Sequence, residues 1–189
     1  MKSNTNKRMS REERREQILK SALNIFIDKG YNGATTADIS KEAGIAEVTL
    51  FRYFDSKKQI FMEAIDPILV TGLKESIVAS KDLKPREEKL KFILKSRIKF
   101  ISNHYQVIKL ILMESQVNPE VANFDYINQT MLMLKDSIKE AGIELGDEDF
   151  SIRLLMGSIL SFLYLPEVNE EKIDEYINSF IYTFLKNNK

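Results

Sequence analysis

Apolar positions recur at helical spacing along almost the whole chain, and no segment alternates with the two-residue period of a strand. Ile18, Leu19, Ala22, Leu23, Ile25 and Phe26 form a stripe that ends at Gly30. Ser10 and Glu13 precede it at capping-box spacing, so a helix is expected to open there. Further helices are expected at Pro85 to Asn103, Tyr105 to Ser115, Pro119 to Ala141, Asp147 to Leu165 and Asn169 to Asn187. Each is bounded by Pro, Asn, Asp or Gly at a starting or stopping position.

The segment from Thr35 to Ile60 has a tighter organisation. Thr35 and Asp38 form a capping box, Ile39 and Ala43 share one face, and Gly44 can take the left-handed conformation that ends a helix. Ile45 plugs the corner. A second helix from Glu47 to Phe54 turns Leu50 and Phe54 inward, which leaves Glu47, Val48, Thr49, Arg52 and Tyr53 outward. Ser56 and Gln59 open a third helix with Lys57 and Lys58 in its first turn. Two lysines at a positive helix start suit an external phosphate. Two short helices around a glycine corner are the layout of a DNA-reading helix-turn-helix.

The residues Gly30-Tyr31, Thr35-Thr36, Ile39, Ala43-Gly44-Ile45, Thr49-Leu50-Phe51, Tyr53-Phe54 and Ser56-Lys57 resemble the tetracycline-repressor (TetR) family over roughly residues 10 to 60. That resemblance implies a homodimeric transcription regulator, usually a repressor, which leaves its operator when a small molecule binds the C-terminal domain. Three positions depart from the family pattern. Ala46 lacks the cap that serine or threonine supplies, Phe51 keeps the packing of the commoner tyrosine without its hydroxyl, and Lys58 replaces a commonly acidic residue.

Charge supports a nucleic-acid partner. Residues 1–60 hold 12 Lys+Arg against 8 Asp+Glu, and 61–189 hold 16 against 20, so a head of +4 balances a body of −4. Much of the excess lies in Lys2, Lys7, Arg8, Arg11, Arg14 and Arg15, either a solvated tail or an arm for the minor groove. With 189 residues, 43% of them apolar, the chain can build a small head and a larger body. The expected division is 1–60 and 61–189, with a connector helix from Lys57 that carries Pro67.

The expected fold class is all-α, about nine helices, with an N-terminal three-helix DNA-binding domain and a larger helical ligand-binding and dimerisation domain. Base readout falls to Glu47, Val48, Thr49 and Arg52, and backbone contact to Thr35, Thr36, Tyr53, Lys57 and Lys58. Effector candidates are Phe100, His104, Tyr105, Met113, Phe124, Tyr126, Met131 and Phe162, aromatic or thioether groups that adapt to apolar shapes. The last two helices are apolar around much of their circumference. Leu154, Gly157, Ser158, Ser161, Ile173, Ile177, Phe180 and Phe184 are therefore expected in a homodimer interface.

No catalytic residue, metal site or cofactor is expected: His104 is the only histidine, cysteine is absent, and no nucleophile motif occurs. No stretch approaches the ~20 apolar residues of a membrane span, so a cytoplasmic protein without a membrane partner is expected. The expected partners are a double-stranded operator, a second copy of the chain and a small-molecule effector. The rival reading is a helical ligand-binding or scaffold protein whose head contacts a protein.

Overall fold

The computed structural model describes residues 9–80, 86–118, 126–140 and 147–187; side chains at 69–86, 119–127, 129, 130, 133, 137, 140 and 184–187 are outside the description. Among the described residues every regular element is helical. The helices are α1 Arg11–Gly33, α2 Thr36–Glu42, α3 Glu47–Leu50, α4 Lys57–Ser80, α5 Arg86–Val117, α6 Tyr126–Glu140, α7 Glu148–Leu160 and α8 Glu170–Asn187, with a 3-10 turn Ser161–Leu163 after α7. The chain divides into two compact units, Met1–Asp66 and Pro67–Lys189, and α4 runs through the division.

In the N-terminal unit, caps set each boundary. The Ser10 side chain accepts from the Glu13 N–H and the Glu13 carboxylate accepts from the Ser10 N–H, a complete capping box. Thr35 and Asp38 make a second one at the start of α2. The third is incomplete: Ser56 accepts from the Gln59 N–H, but Gln59 Oε1 takes the N–H of Asp55. Gly44, at φ 64°, stops α2 in a Schellman turn: its N–H reaches Lys41 O, and the Ile45 N–H reaches Ser40 O.

The core of this unit joins Ile18, Ala22 and Phe26 of α1 to Ile39, Leu50 and Phe54, all essentially without exposure. Phe61 of α4 meets Phe26 edge-on at 5.0 Å and Tyr31 at 5.1 Å. Such ring pairs contribute about 0.5–1.5 kcal/mol each beyond area burial. These contacts carry the unit to Asp66, beyond the expected end at residue 60, because Ile60, Phe61, Ala64 and Ile65 are all buried.

In the C-terminal unit α5 is the centre and packs on α6, α7, α8 and the 3-10 turn. The boundary expected between Pro85 to Asn103 and Tyr105 to Ser115 is present inside α5, which joins two helical stretches across a kink where His104 leaves helical geometry at φ −120°, ψ 19°. Counting α5 as one kinked element gives eight α-helices among the described residues. Ion pairs Lys95–Asp174 and Lys99–Glu170 tie α5 to α8.

Gly44→Ala tests the corner. A Cβ there meets nothing within 4 Å, so the cost is purely conformational. We expect a loss of about 1 kcal/mol in chemical denaturation, from forcing a side chain into the left-handed region.

Candidate nucleic-acid interface

The reading element is one α-helical turn, α3, extended by tighter turns to Phe54, not the regular helix expected from Glu47 to Phe54. The Arg52 N–H reaches Thr49 O and the Tyr53 N–H reaches Leu50 O, both three residues back. Leu50 and Phe54 are buried and anchor it. Glu47, Val48, Phe51 and Arg52 are exposed, while Thr49 and Tyr53 are half-buried on the flank toward α1. Phe51 therefore does not keep the packing role expected for it; it stands on the outer surface.

Glu47 is held to one side. Thr36 donates its hydroxyl proton to Glu47 Oε1 at 2.5 Å, which bridges α2 to α3. No side chain caps α3, since Ala46 has none to offer, and the Glu47 carboxylate in the first turn still complements the helix dipole.

The first turn of α1 lies against this element. A groove of about 570 Å³ is lined by Met9, Arg11, Arg14, Thr49, Arg52 and Tyr53. The Arg11 guanidinium stands 5.9 Å from the Tyr53 ring, and Arg14 donates to Gln17 Oε1. Arg15, one residue further, turns inward. It pairs with Glu63 of α4, donates to Tyr53 O at 2.8 Å and stacks on Phe54 at 4.3 Å. Sequence reading groups all three arginines with the basic tail and so misses Arg11 and Arg14 as walls of the reading face. The signal was available in their spacing, seven and four residues before the buried Ile18. The tail itself, with Lys2, Lys7 and Arg8, lies outside the described residues.

Several expected backbone contacts are already engaged inside the protein. A hydroxyl has one proton. That of Thr35 goes to Asp38 Oδ2 at 2.7 Å and that of Thr36 goes to Glu47, so neither hydroxyl in this arrangement has a proton for a phosphate. Asp38, bonded by Lys29 and by Thr35, titrates at about 2 rather than the usual 3.8. Lys57 donates to Tyr31 O at 2.9 Å and Ala34 O at 3.1 Å, with its ammonium 4.5 Å from the Tyr31 ring. Its place at the start of α4 is thus explained by the carbonyl end of α1 without an external anion, and one of its three donors remains. Lys58 and Arg52 are exposed and make no ion pair among the described residues.

In the C-terminal unit two of the expected effector residues meet. Phe100 and His104 are half-buried and 4.8 Å apart at the kink of α5, where burial pushes the His104 pKa down. Met131 is half-buried on α6. Tyr105 and Met113 are on the surface, and Phe162 is core, edge-on to Tyr176 at 5.0 Å. Phe124 and the side chain of Tyr126 lie outside the described residues. A groove of about 450 Å³ between α5 and α8 is lined by other residues, among them Phe92, Lys95 and Ile177.

The dimer residues separate into two groups. Ile173 and Ile177 are buried against the protomer's own α5 and leave no surface for a partner, because α8 spends that face inside the monomer. Leu154, Gly157 and Ser161 are exposed on one face of α7, Ser158 and Phe180 are half-buried, and the Phe184 side chain is outside the described residues.

Residues 18–64 match the family model of bacterial regulatory proteins of the tetR family. The HTH-type transcriptional activator FasR of Mycolicibacterium smegmatis is 29% identical over 119 residues, 61% of this chain and 53% of FasR. The chain thus spans about half the length of that curated relative. A proposed fatty acid metabolism regulator of Clostridium perfringens superposes with a TM-score of 0.71 at 25% identity, covering 90% of this chain and 97% of that one. Bacillus subtilis FadR, solved in complex with stearoyl-CoA, has a TM-score of 0.67 at 20% identity, covering 90% and 97%. The helix pair and its glycine corner lie within residues 18–64, and that segment is identified by its match as the DNA-binding segment of the tetR family of bacterial regulatory proteins.

Proposed function

We propose that the protein is a ligand-responsive, homodimeric regulator that grips a palindromic duplex operator with two copies of the N-terminal unit, entering successive major grooves about one turn (~34 Å) apart. The observation that carries this reading is the outward surface of Glu47 to Tyr53, walled by Arg11 and Arg14 and anchored from behind by Leu50 and Phe54. Glu47, Val48, Thr49 and Arg52 meet base edges. Tyr53, Lys58, Arg11, Arg14 and the remaining donor of Lys57 meet the backbone, and the Thr35 and Thr36 hydroxyls serve instead to hold α2 and α3 in register.

A small, mostly hydrophobic effector in the C-terminal unit releases the operator by favouring a state in which the two heads no longer match groove spacing. Half-buried Phe100, His104 and Met131 support an apolar site there. FadR, of the same fold, holds stearoyl-CoA and so supplies a first probe. Where the operator overlaps a promoter, binding represses. FasR is an activator, and the sign follows operator position on this reading. No helix among the described residues is long and apolar enough to cross a membrane, which is compatible with the proposed cytoplasmic site of action.

Support for the dimer comes from an exposed stripe on and after α7: Phe150, Leu154, Gly157, Ser161 and Leu165, at helical spacing. Nothing lies within 4 Å of a Cβ placed on Gly157, so a second helix can approach closely. Leu154→Glu places a charge in that stripe; light scattering of the micromolar protein is expected to show a dimer in the parent and a monomer in the variant. A parent chain that scatters as a monomer removes the dimer.

Selection of bound fragments from random duplex DNA, with and without stearoyl-CoA, tests the function directly. A palindromic consensus lost or weakened on adding the ligand is the expected result, and failure to retain any duplex at low salt sinks the reading. On the selected site, Lys58→Ala is expected to weaken all sequences alike and to reduce the salt slope by about 1, the release of one phosphate's counterion. An unchanged slope removes Lys58 from the backbone contacts.

A further inference from the structure

The centre of the reading surface is apolar. Val48 is 72% exposed and Phe51 is 48% exposed, three residues apart and therefore neighbours on the helix surface. Neither is needed by the fold, because Leu50 and Phe54 fill the inward positions completely. Their polar neighbour Glu47 is drawn toward α2 by the Thr36 hydroxyl. Arg52 follows Val48 by one turn, and Arg11, Arg14 and Lys58 supply further positive charge on the same unit.

An exposed apolar pair next to Arg52, on a unit that carries further cations, fits a polyanion that carries apolar groups of its own. Among base edges in the major groove only the 5-methyl group of thymine is of that kind; the other edges are hydrogen-bond donors and acceptors. Resting on the DNA-binding reading above, we infer that Val48 and Phe51 read pyrimidine 5-methyl groups. Each operator half-site then contains at least one thymine recognised through its methyl rather than through hydrogen bonds. Val48, with its two branched methyl groups, is the more exposed of the pair. Phe51, three residues on, adds apolar surface that excludes water from the contact on this reading.

The test uses the full chain and its selected operator, with each thymine replaced in turn by deoxyuridine, which deletes the methyl and keeps every hydrogen-bonding group. In the parent protein, one or two positions per half-site are expected to lose about fourfold in affinity, the effect of one buried methyl. Val48→Ala and Phe51→Ala are surface changes, and an unaltered circular dichroism melt confirms that they fold. In the variant that lacks the reader, thymine and deoxyuridine operators are expected to bind equally. Three results overturn the inference while leaving DNA binding intact. These are full affinity for deoxyuridine at every position, a methyl effect that survives both variants, or one that disappears only in Thr49→Ser. Absence of binding to any duplex instead overturns the DNA-binding reading itself.

Discussion

The ammonium of Lys57 stands where three helix ends meet, and the geometry of the head follows from how it is satisfied. Gly30, at φ 69°, breaks the regular ladder near the end of α1 and leaves carbonyls there without helical partners. Lys57 supplies donors to two of them, Tyr31 O and Ala34 O, while its charge faces the Tyr31 ring. Ala34 is followed at once by Thr35, the cap of α2, and Lys57 is itself the first residue of α4. One cation therefore fixes the end of α1 and the start of α4, and through Ala34 the entry to α2. The Tyr31 ring beside it belongs to a buried aromatic cluster with Phe26 and Phe61.

The same residue shows where sequence reasoning stops. Local features were legible because their causes lie within four residues. The Ser10–Glu13 and Thr35–Asp38 boxes, the Gly44 corner and the buried faces of Ile39, Leu50 and Phe54 all occur as expected. A lysine at a helix start, by contrast, announces only that some acceptor is near. That the acceptors are carbonyls 26 and 23 residues earlier depends on tertiary placement. Thr36 and Glu47, eleven residues apart, fail to announce each other for the same reason, and the hydroxyl taken for a phosphate contact belongs to a bridge between α2 and α3.

In the C-terminal unit the limit is one of burial rather than pairing. An apolar stripe on α8 can face a partner chain or the protomer's own core, and the residue pattern is identical in the two cases. For Ile173 and Ile177 the structure separates the cases, since both go to α5, while Leu154 and Gly157 of α7 stay exposed. His104 is the converse case. A polar residue in a helical run signals a boundary there, and the backbone does leave helical geometry at that residue, where two helical stretches of α5 meet at a kink.

Three arginines within five residues illustrate how far one charge can differ from another. Arg15 is neutralised by Glu63, stacked on Phe54 and bonded to Tyr53 O, so its charge is spent on holding the far end of the reading element to α4. Arg11 and Arg14 keep theirs at the groove wall, and Arg52 keeps its own in the middle of the face. The formal +4 of the first 60 residues therefore overstates the charge available as a field and understates its focus. Within the reading element the exposed Arg52 adjoins Phe51 and lies one turn from Val48, an apolar pair that alone invites indiscriminate association. Like charges repel a second copy of this surface, so the cations that attract phosphate also restrain self-association through the apolar pair on the same unit.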